Sequence, residues 1–260
     1  MRSICLSAFL ALTSVLHAGT SAPAIPYTPV LPPPAQDSLW NFRIAPYGWI
    51  TAVNGDISLG RLSAPVDISM HDTLDTLEMA FMGMFEVSYG KWSFGVDTIY
   101  GKTSSDTETR GLIFDSFRFE QKQWIITPTL GYRVVDTGSY HMDITAGARV
   151  TALEAELTGR FRGPGETSTS KDTAWVDPII GLRGQANFNP QWFFRYNGDI
   201  GGFGVSSDLV WQAFAGFGYN VSEHCSVALG YRGLGIDYSK DTFATDTVTH
   251  GPVIGMEFHW

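Results

Sequence analysis

Only 17% of the 260 residues are charged, while aromatics make up 13% and glycine contributes 28 positions, a balance that fits poorly with an ordinary soluble enzyme. The surplus of 26 acidic over 17 basic residues, a net charge of −9, argues against nucleic acid as a partner. Beyond the first residues no apolar run is long enough to cross a bilayer as a helix, so any membrane crossing must use strands.

Met1-Arg2-Ser3, an apolar run over residues 4–16 and then small residues read as a secretory leader over residues 1–22. Losing Arg2 with that leader leaves 16 basic against 26 acidic residues. Cys5 leaves as well, so Cys225 has no partner for an intramolecular disulfide. Residues 23–39 form an extended, proline-rich linker, since six of the 13 prolines fall between Pro23 and Pro34. Residues 40–260 read as one domain.

From Trp40 onward apolar and polar positions alternate with period 2 in ten segments. The first turns Phe42, Ile44 and Ile50 one way, with Arg43, Tyr47 and Trp49 the other. The second presents Met79, Phe81, Phe85, Val87 and Tyr89 against Glu78, Met82 and Glu86, and the third presents Trp92, Phe94, Val96 and Tyr100 against Asp97. Trp124, Ile126, Leu130 and Tyr132 oppose Thr127 and Arg133. Tyr140, Met142, Ile144 and Val150 oppose Asp143, Thr145 and Arg149. The sixth segment sets Pro178, Ile180, Leu182 and Phe188 against Asp177, Arg183 and Gln185. The seventh sets Trp192, Phe194, Tyr196 and Ile200 against Arg195, Asn197 and Asp199. Leu209, Trp211, Phe217 and Tyr219 oppose Gln212, Phe214 and Asn220. The ninth begins Val227, Leu229, Tyr231 and then loses its alternation at Gly233-Leu234-Gly235, as a β-bulge would make it do. The last runs Pro252, Ile254, Met256, Phe258, Trp260, with Glu257 and His259 opposite.

Connections alternate between short turns, such as Gly90-Lys91, and longer polar stretches at residues 54–76, 103–115, 159–171 and 239–246. Short turns on one side and long loops on the other are the pattern of a transmembrane up-and-down antiparallel β-barrel of the bacterial outer membrane. Ten strands fit best, with eight or twelve as alternatives, and an even number leaves both chain ends in the periplasm. Outward aromatics recur eight residues apart at Phe81/Tyr89, Trp92/Tyr100, Trp124/Tyr132 and Trp211/Tyr219. At a strand tilt of about 40° that spacing covers roughly 20 Å of membrane normal, close to the apolar band between two aromatic girdles. Phe188 and Trp260 belong to the girdle at the short-turn end.

Arg43, Arg133, Arg149, Arg183 and Arg195 are expected in the lumen, with Glu78, Glu86, Asp97, Asp143, Asp177, Asp199 and Glu257. Five against seven is nearly balanced, as a paired network filling a narrow barrel requires. A selectivity lining for a small pore is the sharper alternative, but ten strands stand near the filled end of the barrel series.

Gly255, Phe258 and Trp260 resemble the C-terminal recognition signal of outer-membrane proteins, which implies the barrel assembly machinery as a partner. Trp175-Val176-Asp177-Pro178, Asp199-Ile200-Gly201-Gly202-Phe203-Gly204, Trp211-Gln212 and Gly230-Tyr231-Arg232 resemble a porin-like family of proteobacterial outer-membrane proteins of no assigned function. That likeness implies the fold and the membrane, and carries no catalytic residues.

Ingredients of chemistry are sparse. His71 with Asp72, Asp75 and Ser69 could supply a base and its orienting carboxylate, but Ser69 followed by Asp72 also reads as the cap of a short helix. His250 and Ser239 border the last loop. The six histidines show no i, i+2 or i, i+4 pairing, so neither a metal nor another cofactor is expected. Gly201-Gly202-Phe203-Gly204 lacks the lysine and helix of a phosphate loop and reads as a tight turn. Arg160, Arg162 and Lys171 put basic charge where lipopolysaccharide phosphates could be met. The expectation is a non-enzymatic outer-membrane barrel, structural or a narrow passive pore, in contact with outer-membrane lipid and lipopolysaccharide. A surface adhesion or ligand-binding barrel is the alternative, and an outer-membrane hydrolase is a weaker one.

Overall fold

Alternating strands joined by tight turns close into a ring in this computed structural model, which describes residues 39–59, 62–108, 114–161, 165–240 and 243–260. The expected leader, and the expected linker up to residue 38, lie outside the described residues. In chain order the elements are β1 (Trp40–Trp49), β2 (Ala52–Leu59), β3 (Leu62–Ile68), α1 (Met70–Thr76), β4 (Leu77–Tyr89), β5 (Trp92–Glu108), β6 (Phe114–Asp136), β7 (Tyr140–Phe161), β8 (Glu166–Asn187), β9 (Trp192–Gly202), β10 (Leu209–Ser222), β11 (Cys225–Lys240) and β12 (Phe243–His259).

Strands β1 and β4 to β12 pair antiparallel in chain order, and β1 pairs with β12 to close a ten-stranded barrel. The closing seam is longer than β1 itself. Pairing with β12 keeps one offset from Arg43↔His259 through Trp49↔Val253 and on to Leu59↔Phe243, so β1 and β2 are one barrel strand interrupted at Ile50-Thr51. A β-carbon on Gly251 would lie 1.8 Å from the Ile50 carbonyl oxygen, which explains glycine opposite the interruption. β2 then folds back as β3, and α1 leads into β4. The wall therefore forks: β1 pairs with β4 only between Trp40↔Tyr89 and Pro46↔Gly83, and above that point β3 takes the place beside the first strand.

Two sequence expectations are corrected here. No bulge occurs at Gly233-Leu234-Gly235, because β11 holds its register with both β10 and β12 through these residues. The alternation looks broken because Leu234, Ile236 and Tyr238 are apolar residues on the inward face, while Gly233 and Gly235 face outward beneath the Trp211 indole. The second correction concerns the long loops. Strands β5–β8 and β11–β12 continue through most of the residues expected to be loop, and residues 54–76 contain β2, β3 and α1. Segments such as Glu166-Thr167-Ser168-Thr169-Ser170 are polar on both faces, so they carry no period-2 signal although the backbone ladder is complete. About ten residues of β6 lie beyond Trp124, roughly 33 Å of strand.

Among the described residues, the barrel interior holds an apolar layer of Trp49, Ile99, Ile125, Trp175, Ile179, Val210, Leu234, Ile236, Tyr238 and Val253. Trp49, Ile99, Val210 and Leu234 each stand one inward step nearer the long-hairpin end than a polar residue of the same strand, respectively Tyr47, Asp97, Gln212 and Arg232. Apolar packing thus covers the charged part of the lumen from one side.

Candidate functional site

The polar lumen is built by inward positions of the strands, and its ion pairs fall into two groups. Nearer the short turns, Arg183 pairs with Glu86, donates from Nε to Asp143 at 3.3 Å and from Nη2 to Ser93 Oγ at 2.7 Å. Arg133 reaches the other oxygen of Asp143 at 3.0 Å. Arg43 lies between Glu86 at 3.5 Å and Glu257 at 3.6 Å, and Arg195 pairs with Glu257 while donating from Nε to Gln185 at 3.0 Å. These contacts join β1, β4, β5, β6, β7, β8, β9 and β12 across the barrel.

The second group lies beneath the apolar layer. Arg149 is fully enclosed, and its Nη2 donates to both oxygens of Asp199, at 2.9 and 3.1 Å, and to Gln212 Oε1 at 3.4 Å. Arg232 donates to Tyr47 Oη and to Asp97, each at 2.8 Å, and to the same Gln212 oxygen. Tyr47 donates to Asp97 at 2.7 Å, and the Arg232 guanidinium lies 5.0 Å from the Trp49 ring centre. Arg149 Nε and Nη1, Arg232 Nε and the indole nitrogens of Trp49 and Trp175 are buried N–H groups with no hydrogen-bond partner among the described residues. Satisfaction is incomplete where the charged group meets the apolar layer, and that costs stability.

Eleven of the twelve charges expected in the lumen are inside, and one is not. Glu78 faces outward, because a bulge between Leu77 and Met79 shifts the alternation; it pairs with Lys102 and accepts from Ser104 at 2.6 Å. Asp177 is inside but, among the described residues, its hydrogen bonds come from Ser207 and from no arginine: it accepts from the Ser207 amide and hydroxyl, both at 2.7 Å, and so ties down the β9–β10 connection. Sequence alternation misses Arg232 as a lumen group. Counting back two residues from Leu234 would find it, but the glycines of β11 suggest a slip. With Glu78 removed and Arg232 added, these lumen charges become six arginines and six carboxylates.

Two spaces remain between these groups. A cavity of about 150 Å³ is lined by Arg43, Tyr47, Asp97, Asp199, Gln212 and Arg232, among others. A vestibule of about 670 Å³ opens at the short-turn end beside Asn187, Asn189, Asn220 and His259. Arg43, Arg195 and Glu257 border both and separate them.

The expected interface aromatics all point out of the barrel, and most meet a neighbouring ring. At the short-turn end Trp40 and Tyr89 are 4.7 Å apart, Trp92 and Tyr132 4.8 Å, Trp192 and Tyr219 5.0 Å, Phe42 and Trp260 5.9 Å, and Phe188 and Phe217 6.3 Å. At the other end Tyr100 and Trp124 are 4.4 Å apart beside Phe81, and Trp211 lies flat over Gly233 and Gly235. Ser69 caps α1, with reciprocal bonds to Asp72 of 3.2 and 3.1 Å, and the bonds from Ser69 hold the Asp72 carboxyl below its ordinary range. His71 meets Asp75 at 2.9 Å on the exposed face of α1. His250 does not meet Ser239; it contacts Tyr231 and Asn54. Arg160 and Lys171 are exposed, and Arg162 lies outside the described residues.

The fold and its filled interior define a ten-stranded transmembrane β-barrel. No family model and no curated protein matches the chain. Among solved structures, the outer-membrane protease OmpT from Escherichia coli superposes with a TM-score of 0.56 at 11% identity, covering 86% of this chain and 98% of that one. The transport unit of the autotransporter AIDA-I from Escherichia coli gives 0.42 at 7% identity over 88% and 93% of the two chains. The translocator domain of the autotransporter NalP from Neisseria meningitidis gives 0.39 at 9% identity over 86% and 90%. The likeness to OmpT is one of fold.

Proposed function

We propose that this protein is a closed outer-membrane barrel that anchors a surface-exposed binding sheet, a ligand-binding or adhesive protein in function. The observation that supports this reading is the lumen: the apolar layer from Trp49 to Val253 covers the ion-paired arginines and leaves no wide passage among the described residues. A pore for passive solutes needs a continuous hydrated path, and indole, isoleucine and tyrosine side chains packed to 2–8% exposure do not supply one. What the barrel offers instead is the projecting part of β5–β8, where the outer ends of β5 and β8 are polar on both faces and β6 adds the exposed Phe119 among Arg118, Glu120 and Lys122. In this setting the short-turn end faces the periplasm and the projecting sheet faces the cell exterior. The outward aromatics sit at the lipid interfaces, and Lys102, Lys122 and Arg160 meet the phosphate layer of lipopolysaccharide. The strand ending at Trp260 is what the barrel assembly machinery engages, and membership of the porin-like family fits the same reading.

Two measurements test it. Refolded protein in a planar bilayer gives no conductance steps; steps as frequent as those of an open porin control would refute the closed lumen. Cells displaying the protein bind a host or matrix surface, and shortening both projecting hairpins, at residues 103–115 and 159–171, abolishes that binding. Binding retained by the shortened barrel would remove the sheet from the account.

A further inference from the structure

β8 is paired along its whole length on one side only. Its ladder with β7 runs from Tyr140↔Ala186 to Arg160↔Glu166, whereas its ladder with β9 stops at Ile179↔Gly201, near the end of β9. Among the described residues no strand pairs with β8 from Glu166 to Pro178 on that second side. The backbone groups left there can be named. The Asn187 amide bonds to Ser139 on the β7 side, and the Phe188 amide bonds to Trp192 on the β9 side. Register holds without a shift along both ladders, so even-numbered residues of β8 turn N–H and C=O away from β7. The Val176 carbonyl follows this rule and accepts from Ser206 of the β9–β10 connection at 2.8 Å. Beyond it, Ser168, Ser170, Asp172 and Ala174 present amides and carbonyls to the side without a ladder.

This edge lies beyond the apolar band and lacks the usual protection. Ala174 is in register, through Ala152, with the girdle pair Tyr100 and Trp124, and Glu166 to Asp172 continue past it, all exposed. An edge in water invites another strand unless proline, a bulge or a dense row of charge blocks it. Two other edges are guarded in this way: β3 carries Pro65, and the upper part of β4 carries the bulge at Glu78. β8 has neither between Glu166 and Asp177. Its side chains there are mainly serine and threonine, small enough to leave the main chain accessible. Charge is sparse and sorted by face: Glu166 and Asp172 stand on the outer face, and Lys171 on the inner one.

We propose that the open edge of β8 binds an extended polypeptide segment of a partner protein, which adds to the projecting sheet as one more antiparallel strand. Main-chain hydrogen bonds to Ser168, Ser170 and Asp172 supply the attachment. Cross-strand side-chain pairs set the preference. Basic side chains opposite Asp172 and Glu166, and an acidic one opposite Lys171, complement the charges of the edge. Along the incoming strand this reads as a basic residue, an acidic residue, a run of β-branched or hydroxyl residues opposite Ser170 to Thr167, then a second basic residue. The inference rests on the projecting sheet as the binding part; it adds which element of that sheet makes the contact and what it takes.

The probe is the peptide Lys-Glu-Val-Thr-Val-Thr-Lys with blocked ends, added to the full folded barrel in lipid nanodiscs. Binding is followed by fluorescence polarisation of labelled peptide, and amide exchange by NMR. The peptide protects the amides of Ser168, Ser170 and Asp172 and leaves those of Thr169 and Lys171, already turned to β7, unchanged. N-methylation of its two valines, whose amides face β8, abolishes binding, while N-methylation of its two threonines does not. Reversing the sign of its three charged residues weakens binding about tenfold. Ser170→Pro removes an amide hydrogen from the open side only, so it keeps the β7 ladder and loses the peptide. No protection of the three amides, or equal binding by both N-methylated peptides, overturns the proposal. Protection that appears without peptide as barrel concentration rises gives the edge to a second copy and overturns the peptide partner. On cells, binding kept by Ser170→Pro but lost on shortening both hairpins overturns the edge and leaves the sheet; binding kept by the shortened barrel removes the sheet, and the edge with it.

Discussion

Replacing Arg149 with methionine removes a guanidinium with no exposed surface and leaves Asp199, whose side chain is only 6% exposed, without the group that holds both its oxygens. The neighbouring cation cannot take over, because Arg232 is already committed to Asp97, Tyr47 and Gln212. Breaking a buried pair from one side costs about 3–5 kcal/mol, because the remaining charge stays buried. At about 1.4 kcal/mol per tenfold, that lowers the folding equilibrium by roughly two to three and a half orders of magnitude. The double variant Arg149→Met/Asp199→Leu behaves differently. Wild-type Arg149 already buries Nε and Nη1 without partners among the described residues, each a cost of about 1–3 kcal/mol. Removing both charges therefore brings stability back to the wild-type value or above it. Urea unfolding of protein folded into lipid vesicles, followed by tryptophan fluorescence, measures all three. A loss under about 1 kcal/mol in the single variant, or a double variant no better than the single, would refute the view that these charges neutralise one another.

Gly235→Val would put a β-carbon about where the Trp211 indole lies, since that carbon would stand 2.1 Å from the indole Nε1, and overpacking costs about 1–3 kcal/mol. Fluorine NMR with fluorotryptophan should show the Trp211 resonance displaced, and an unmoved resonance would contradict its place over the glycine. Burial, followed by the nearby Asp246 and Asp208, holds the Asp237 carboxyl above its ordinary range. A raised acid binds its proton more tightly in the folded state, so its contribution is full below the ordinary carboxylate value and is lost as pH rises through the raised one. Amide protection at the outer end of β11–β12 should therefore fall over that interval in the wild type, and Asp237→Asn should remove its part of the dependence. Ser69→Ala deletes the cap of α1, costing about 1 kcal/mol locally, and returns Asp72 toward its ordinary range. Because Asp72 is lowered in the wild type, the cap is firm above the ordinary carboxylate value and weakens as pH falls through the lowered one, which exchange of the Asp72 amide reports.

Period-2 alternation is enough to place the ten-stranded barrel, because lipid on one side and a charged lumen on the other give the wall two different faces. Arg43, Glu86, Asp143, Arg149, Arg183, Arg195 and Glu257 can be placed inside for that reason, although which carboxylate each arginine takes depends on stagger between strands that composition does not encode. Legibility fails where both faces share one character. Leu234, Ile236 and Tyr238 are apolar toward an apolar layer, with only small Gly233 and Gly235 opposite, so the strand looks as though it slips. The outer ends of β5 and β8 are polar toward water on both sides, so they look like loops. Glu78 is misplaced by a single extra residue at the β4 bulge, an event with no periodic signal. The contact of His250 with Asn54 joins positions 196 apart in sequence, and no local pattern announces it.

The fork in the wall has a mechanical consequence. Around most of the circumference, neighbouring strands are zipped along long ladders, such as Tyr140↔Ala186 to Arg160↔Glu166 between β7 and β8. The ladder between β1 and β4 ends at Pro46↔Gly83, and proline there has no amide hydrogen with which to extend it. Pulled sideways, by crowding in a thick membrane or by a detergent, the barrel should tear first along this line, with α1 swinging away on the β3 side. The chain's first strand would stay fastened to its last, and the break would run between the first strand and the next one in sequence.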